Sequence, residues 1–307
     1  MSELFKKLNL YRLNRLIINK IHSKWMLLSF IFIITIPFIM LIGLYFKSSY
    51  LFEKIPIIDL LFTSEWLPSQ EKFGFLPFII SSLWVTVLAL LFSAPICLLS
   101  AILLTQYGKK RMLSLMHPVI DILAGIPSVV YGVWGLLLIV PMVSDYIAPI
   151  FNIKTSGYCI LSGAIVLSVM IIPFILNILI EIFKAVPIDL TEISLSLGAS
   201  RWETIKFVVI KKAYPGIISA FGLGISRAFG ETIAVLMVVG NVIKIPTSVF
   251  DAGYPLPALI ANNYGEMMSI PLYDSALMFA AFILFAVVLL FNFASRMAII
   301  KYERMYK

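Results

Sequence analysis

Charge is what this chain is short of. Lys, Arg, Asp and Glu together make up only 13% of its 307 residues, while 61% are hydrophobic. That balance excludes a soluble domain of this size and points to a membrane protein with several spans. Cysteine is almost missing: Cys97 and Cys159 both fall in apolar stretches, with no disulfide or metal spacing. Each reads as a buried free thiol. Histidine is as scarce, and His22 and His117 stand at polar flanks with no ligand cluster around them. The chain has no G-x-x-x-x-G-K-[ST] loop to cradle ATP phosphates. Any hydrolysis therefore belongs to another chain, and this one binds no cofactor. An internal repeat is also lacking, which weighs against a transporter built from two similar halves in one chain. The net charge of +8 does not signal nucleic acid, because the basic residues sit beside apolar runs and form no continuous patch.

What is present is a set of long apolar runs. Six are long enough, at about 20 residues each, to cross a bilayer as helices. They cover 25–46, 76–105, 118–141, 157–180, 216–240 and 275–298. The expected architecture is all-α and polytopic. A leader (1–24) precedes the first span, and an outer connection (47–75) follows it. A five-helix core (76–298) and a short tail (299–307) complete the chain. The leader is basic but lacks a small-residue cleavage site, so the first run reads as a retained span. The second run is long enough to need tilt or a break, and Pro95 is the candidate break.

Basic residues alternate between rich and poor at every crossing. The leader carries Lys6, Lys7, Arg12, Arg15, Lys20 and Lys24, and the second inner connection Lys109, Lys110 and Arg111. The connection 181–215 holds Lys184, Arg201, Lys206, Lys211 and Lys212, and the tail Arg296, Lys301, Arg304 and Lys307. The connections 47–75, 142–156 and 241–274 are poor in Lys and Arg. The positive-inside rule then places both termini in the cytoplasm of a multi-pass cell-membrane protein.

Two features carry function. The inner connection 181–215 is long for a loop between spans. Pro187 and Asp189 open a helical stretch over 188–197, and Gly198 stands where a helix C-terminus wants a left-handed residue. A second stretch, 201–212, places Trp202, Ile205, Val208 and Val209 at helical spacing. From pattern alone this is either a coupling knob or an amphipathic helix lying on lipid. The second feature is the pair Arg227 and Glu231 inside the fifth run. A cation at the midplane costs about 2.5 kcal/mol or more, so it marks a functional site facing protein or water. On an unbroken helix the two residues stack one turn apart, flanked by Gly222, Ser226, Gly230 and Ala234 on one side and Ala220, Gly224, Ala228 and Thr232 on the other. That small-residue face is expected to look toward the translocation path and a partner subunit.

The stretch Glu192-Ile-Ser-Leu-Ser-Leu-Gly198 resembles the EAA loop of ABC importer permeases. Ile193 and Ser194 replace the family's two alanines, and Lys211 stands where its proline would be. The segments Leu123-Ala-Gly-Ile-Pro-Ser-Val-Val-Tyr-Gly132, Leu197-Gly-Ala-Ser-Arg-Trp-Glu-Thr204 and Ser226-Arg-Ala-Phe-Gly-Glu-Thr-Ile-Ala-Val-Leu-Met-Val-Val-Gly-Asn241 are similar to the PstC-type permease family of phosphate importers, from about Phe75 onward. The resemblance implies a type I ABC importer permease fold. It implies a PstA-like second permease, two copies of an ATPase that holds ATP-Mg, and an extracytoplasmic phosphate-binding protein. It also implies that Glu192, Gly198, Arg201 and Trp202 couple to the ATPase, and that the chain is a transport subunit and not an enzyme.

Arg227 suits phosphate, since its planar fork donates two parallel hydrogen bonds to an oxyanion and keeps its charge. Glu231 either keeps Arg227 company between transport events or accepts a proton from a phosphate hydroxyl, which would disfavour sulfate. The bland alternative is an Arg–Glu pair that only locks two turns together. Pro127 in the third run frees the carbonyl of Leu123, and with Gly132 it makes a hinge or a static kink. Pro173 has the same ambiguity. Asp121 reads as a helix N-terminal cap after Pro118, and Trp66 and Trp84 as interfacial anchors. The outer connections 47–75 and 241–274 offer the surface for a binding protein, with a short helix expected over 258–268. Other readings are a permease for sulfate or molybdate, an ion-coupled transporter or channel, and a nontransporting scaffold or phosphate-sensing partner.

Overall fold

A computed structural model describes residues 2–265 and 270–305. The first helix, α1 (Ser2–Lys54), runs without interruption from the basic leader through the first apolar run. No change of structure marks residues 24–25. A short α2 (Ile57–Phe62) leads to a two-stranded antiparallel hairpin, β1 (Trp66–Leu67) against β2 (Lys72–Phe73). The remaining helices are α3 (Leu76–Tyr107), α4 (Lys110–Gly125), α5 (Ser128–Ile150), α6 (Ile160–Lys184), α7 (Ile188–Ser196), α8 (Arg201–Phe229), α9 (Ile233–Leu236), α10 (Leu256–Asn263) and α11 (Pro271–Met305). Among the described residues, α1, α3, α5, α6, α8 and α11 are long and apolar enough to cross a membrane.

Several local expectations change. Pro95 lies inside an uninterrupted α3, and Pro173 inside an uninterrupted α6. The third span does not run over 118–141. Pro118 sits within α4, and Ile126 and Pro127 are extended, at φ −66°, ψ 128° and φ −59°, ψ 143°. The span proper begins only at Ser128. Two wide π turns, Gly135–Ile139 and Val143–Ile147, carry it outward. The expected helix over 258–268 is observed as Leu256–Asn263; residues 266–268 lie outside the described residues, as do Met1 and residues 306–307.

Helix α6 is the hub. Of its most apolar window 67% is buried, against 0% for α1. It packs on α3, α4 and α8 through Leu167, Ile171, Ile175 and Leu179, all fully buried. Its outer end is held by backbone pairing: the amides of Ile160 and Leu161 donate to the carbonyls of Asp251 and Val249 at 2.9 and 2.8 Å. Those amides have no partner within the helix itself. On α3, the Ser81 and Ser82 hydroxyls accept the amides of Tyr254 and Leu256 at 3.1 and 2.8 Å. The chain after α9 is thus stitched to two spans.

A second cluster caps the outer end. Trp66 is buried, with the rings of Phe73, Phe75, Phe78 and Tyr273 edge-on around it at 5.1 to 6.0 Å. Edge-to-face pairing adds to the stabilisation from burying these rings. Trp66 is therefore a core residue and not the interfacial anchor expected from its position; Trp84 remains partly exposed on α3.

Candidate translocation site

Helix α8 joins the two functional features of the sequence. It starts at Arg201 behind a capping box, in which Ser200 Oγ accepts the Glu203 amide and the Glu203 carboxylate accepts the Ser200 amide. Such a reciprocal cap fixes where a helix begins. After one wide turn, Ile205–Val209, the helix continues to Phe229. Arg227 lies in its last turn, where a cation complements the helix dipole.

Helix α8 stops before Glu231. Gly230 caps it, Glu231 and Thr232 are non-helical, and α9 follows. The expected one-turn stacking of Arg227 on Glu231 is therefore not formed, and the two make no ion pair. The Arg227 guanidinium instead lies over the Phe174 ring, 4.7 Å from its centroid. Phe174 stands ten residues before the end of α6, roughly 15 Å along the axis, so the cation sits near mid-span. Glu231 is half-buried, and its Oε1 accepts the Ala234 amide at 3.5 Å. The break was hidden because Ala, Gly and Ile through this stretch fit a continuing helical period.

The small residues serve a different purpose from the one expected. Ala220, Gly222, Gly224 and Ala228 are buried within the chain, with Gly222 backing Ser295 of α11 and Gly224 backing Ile175 of α6. They allow α8 to approach its own neighbours closely. Leu223 and Arg227 are on the exposed side of α8. At mid-span a charged side chain against hydrocarbon is costly, and such groups almost always face protein or a water-filled cavity.

Residues that pattern reading missed complete the surroundings. Tyr131 donates its hydroxyl to the Leu123 carbonyl at 2.8 Å, satisfying the group that Pro127 frees. Asn177, one turn from Phe174 on α6, donates to Asp121 Oδ1 at 3.1 Å. Asp121 lies near the C-terminal end of α4 and caps no helix start. Asn177 was the available signal, as a lone amide inside an apolar run. Gly132 is a point of close approach: a Cβ there would lie 2.6 Å from Met237 Sδ and 3.2 Å from Ala234 Cα.

In the inner loop, Gly198 has φ +88°, the left-handed value its position demanded. Ser194 and Thr204 hydroxyls join α7 to α8 at 3.0 Å. Glu192 and Trp202 are exposed. So are Ile188, Ile193 and Leu197, the last at 83%. Arg201 is exposed as well and reaches across to α3: it donates to the Gln106 carbonyl and lies 5.0 Å over the Tyr107 ring. It thereby ties the inner end of α3 to the start of α8.

This arrangement belongs to a class, the permease subunits of ABC importers. A solved structure titled "Inward facing conformations of the MetNI methionine ABC transporter" aligns with a TM-score of 0.51 over 72% of this chain and 91% of that one, at 17% identity. Sequence comparison then places the chain within the class: it belongs to the family described as "Binding-protein-dependent transport system inner membrane component", matched over residues 95–299. It is 40% identical over 221 residues to a Bacillus subtilis protein named "Probable ABC transporter permease protein YqgH", covering 71% of this chain and 70% of that protein. It is 34% identical over 282 residues to a Methanocaldococcus jannaschii protein named "Probable phosphate transport system permease protein PstC", covering 85% and 88%. It is 33% identical over 261 residues to a Xylella fastidiosa protein named "Phosphate transport system permease protein PstC", covering 80% of each. The chain is thus a multi-pass transport component that works with an ATPase and a substrate-binding protein.

Proposed function

We propose that this chain is the PstC-like subunit of an ATP-driven importer of inorganic phosphate, forming half of the translocation path beside a PstA-like permease. The observation that carries the reading is similarity along 80% or more of the chain to relatives named as phosphate permeases. Both termini lie in the cytoplasm of a bacterial or archaeal cell membrane. Two copies of an ATPase hold ATP-Mg against the inner loop, and this chain holds no cofactor. The phosphate-binding protein docks on the outer connections 47–75 and 241–274.

Arg227 is the phosphate contact. The Phe174 ring supports its guanidinium at 4.7 Å, and the planar fork suits a bidentate pair with an oxyanion. Glu192, Gly198 and Trp202 with the exposed apolar residues around them contact the ATPase, while Arg201 transmits that contact to α3. ATPase closure moves α7 and the inner end of α8 together. Arg227 rides at the far end of the same helix, whereas Glu231 stays with the segment packed on Gly132 and Gly163. Rocking therefore changes the separation of cation and acid, which makes the Arg227 site differ between states. Ligand-driven switching requires such a difference. Pro127 and Gly132 act as a break and a tight contact that let α4 and α5 follow.

The reading is tested with the assembled importer in proteoliposomes, given binding proteins for phosphate, sulfate and molybdate in turn. Phosphate with its binding protein should stimulate ATP hydrolysis and uptake. Stimulation by sulfate or molybdate alone would overturn it. Glu231→Gln with unchanged rate and selectivity would remove Glu231 from the mechanism.

A further inference from the structure

An open groove of about 820 Å³ lies between the inner ends of α8 and α11. Its apolar lining is Ile210, Ile218 and Ala298. Its rim carries Lys211 and Lys301 with Tyr214 and Tyr302. The two phenol rings pack at 4.6 Å, and the Tyr302 hydroxyl donates to the Lys211 carbonyl at 3.0 Å. These contacts set the rim's shape without using the lysine charges. Among the described residues neither ammonium has an acidic partner.

We propose that this groove is a binding site for an anionic phospholipid of the inner leaflet, its phosphate between Lys211 and Lys301 and an acyl chain along Ile218. Three observations select this occupant. Two cations with no acidic partner among the described residues, beside the Tyr214 hydroxyl, match a phosphodiester. The apolar lining extends from Ile210 to Ile218, roughly 12 Å along the helix. That length matches a ligand whose phosphate carries a hydrocarbon tail. The groove also joins two spanning helices at the end where basic residues and aromatics meet a membrane surface. The same chemistry recurs where Tyr107, Lys109 and Arg111 rim an apolar groove at the inner end of α3. A lipid seated on Lys211 would hold the root of α8, the helix that carries Arg227, against α11. Lipid charge would then set how readily the helix rocks. The inference rests on the membrane orientation proposed above, but not on the identity of the transported ion.

The test uses the complete importer in nanodiscs of phosphatidylcholine with and without phosphatidylglycerol. Retained lipid is read by native mass spectrometry, and hydrolysis by binding-protein-stimulated ATPase. Phosphatidylglycerol should be retained and should raise hydrolysis. Lys211→Gln with Lys301→Gln should weaken retention about 30-fold (~1 kcal/mol for each lysine) and abolish the stimulation, while activity in pure phosphatidylcholine stays unchanged. Equal retention of both lipids, or undiminished phosphatidylglycerol retention in the double variant, would overturn the site. So would displacement of the lipid by inorganic phosphate alone, since that would make the groove a free-anion site. If phosphate transport fails while lipid retention follows the lysines, the lipid site stands and the phosphate reading falls.

Discussion

Arg227 and Phe174 set the chemistry at the smallest scale. A lysine in place of Arg227 keeps the charge but loses the planar fork and the stacked geometry. Arg227→Lys is expected to assemble normally and to lose about 10- to 100-fold in phosphate uptake, the worth of a charge-assisted hydrogen bond. Normal uptake by an assembled variant would reassign the cation to structure. Tyr131→Phe leaves the Leu123 carbonyl short of its best donor, and should lower stability by about 1 kcal/mol in thermal melts of the purified complex. Asp251 carries a different kind of prediction. Burial pushes its carboxyl up, but the amides of Thr247 and Ser248, the Thr247 hydroxyl and Lys244 outweigh that and hold it down at about 2, against an ordinary 3.8. A depressed pKa stabilises the fold above the unfolded value and loses that contribution as pH falls toward the folded one. The melting temperatures of the protein and Asp251→Asn should differ most near neutral pH, and converge between about pH 4 and pH 2. A constant gap would exclude the ionised carboxylate as the cause. Of these residues only Arg227 announced itself in the sequence, because a cation in an apolar run is visible without coordinates. The donors around Asp251 are three to seven residues away and became legible only once the loop closed on them.

At the scale of elements, the decisive feature is where helices stop. Composition marks the fifth run as apolar throughout, yet α8 ends at Phe229 and leaves Glu231 on a separate segment. Gly198 was legible because a left-handed position is a local demand met by a residue without Cβ. The break after Gly230 was not, since it depends on α9 packing against Gly132 of α5, far away in sequence. Arg201 is the surface residue that its place in the loop suggested, but its contacts were not legible. Its partners, Gln106 and Tyr107, lie on another span. Arg201→Lys should lose both the stacking and the carbonyl contact while keeping the charge. The expected result is ATP hydrolysis that no longer tracks uptake, read as a raised ratio of ATP consumed to phosphate moved. An unchanged ratio would remove Arg201 from the coupling route.

At the scale of the whole molecule, a rigid hub and a movable helix divide the work. α6 is buried among its neighbours and pinned at its outer end, while α8 reaches from the inner loop to mid-span. Spin labels at exposed Leu223 on α8 and exposed Val242 beyond α9 should change separation when the importer is trapped with ATP and vanadate. Cys97 and Cys159 are both fully buried and need not be replaced for such labelling. A fixed distance would mean that α8 and the following segment move as one body, which would remove the proposed link between ATPase closure and the Arg227–Glu231 separation.

The sequence by itself determined what the bilayer enforces: six apolar helices, and the lone cation that had to face something other than lipid. These follow from transfer energies summed over about 20 residues, which need no tertiary contact to be read. The family segments pointed the same way, to an ABC importer permease. Tertiary structure alone decided how those parts meet. It parted Arg227 from Glu231, gave the small residues of α8 to internal packing, buried Trp66 and joined Arg201 to the end of α3. Each of these outcomes depends on side chains brought together from distant stretches of the chain, and no local period or propensity encodes such contacts.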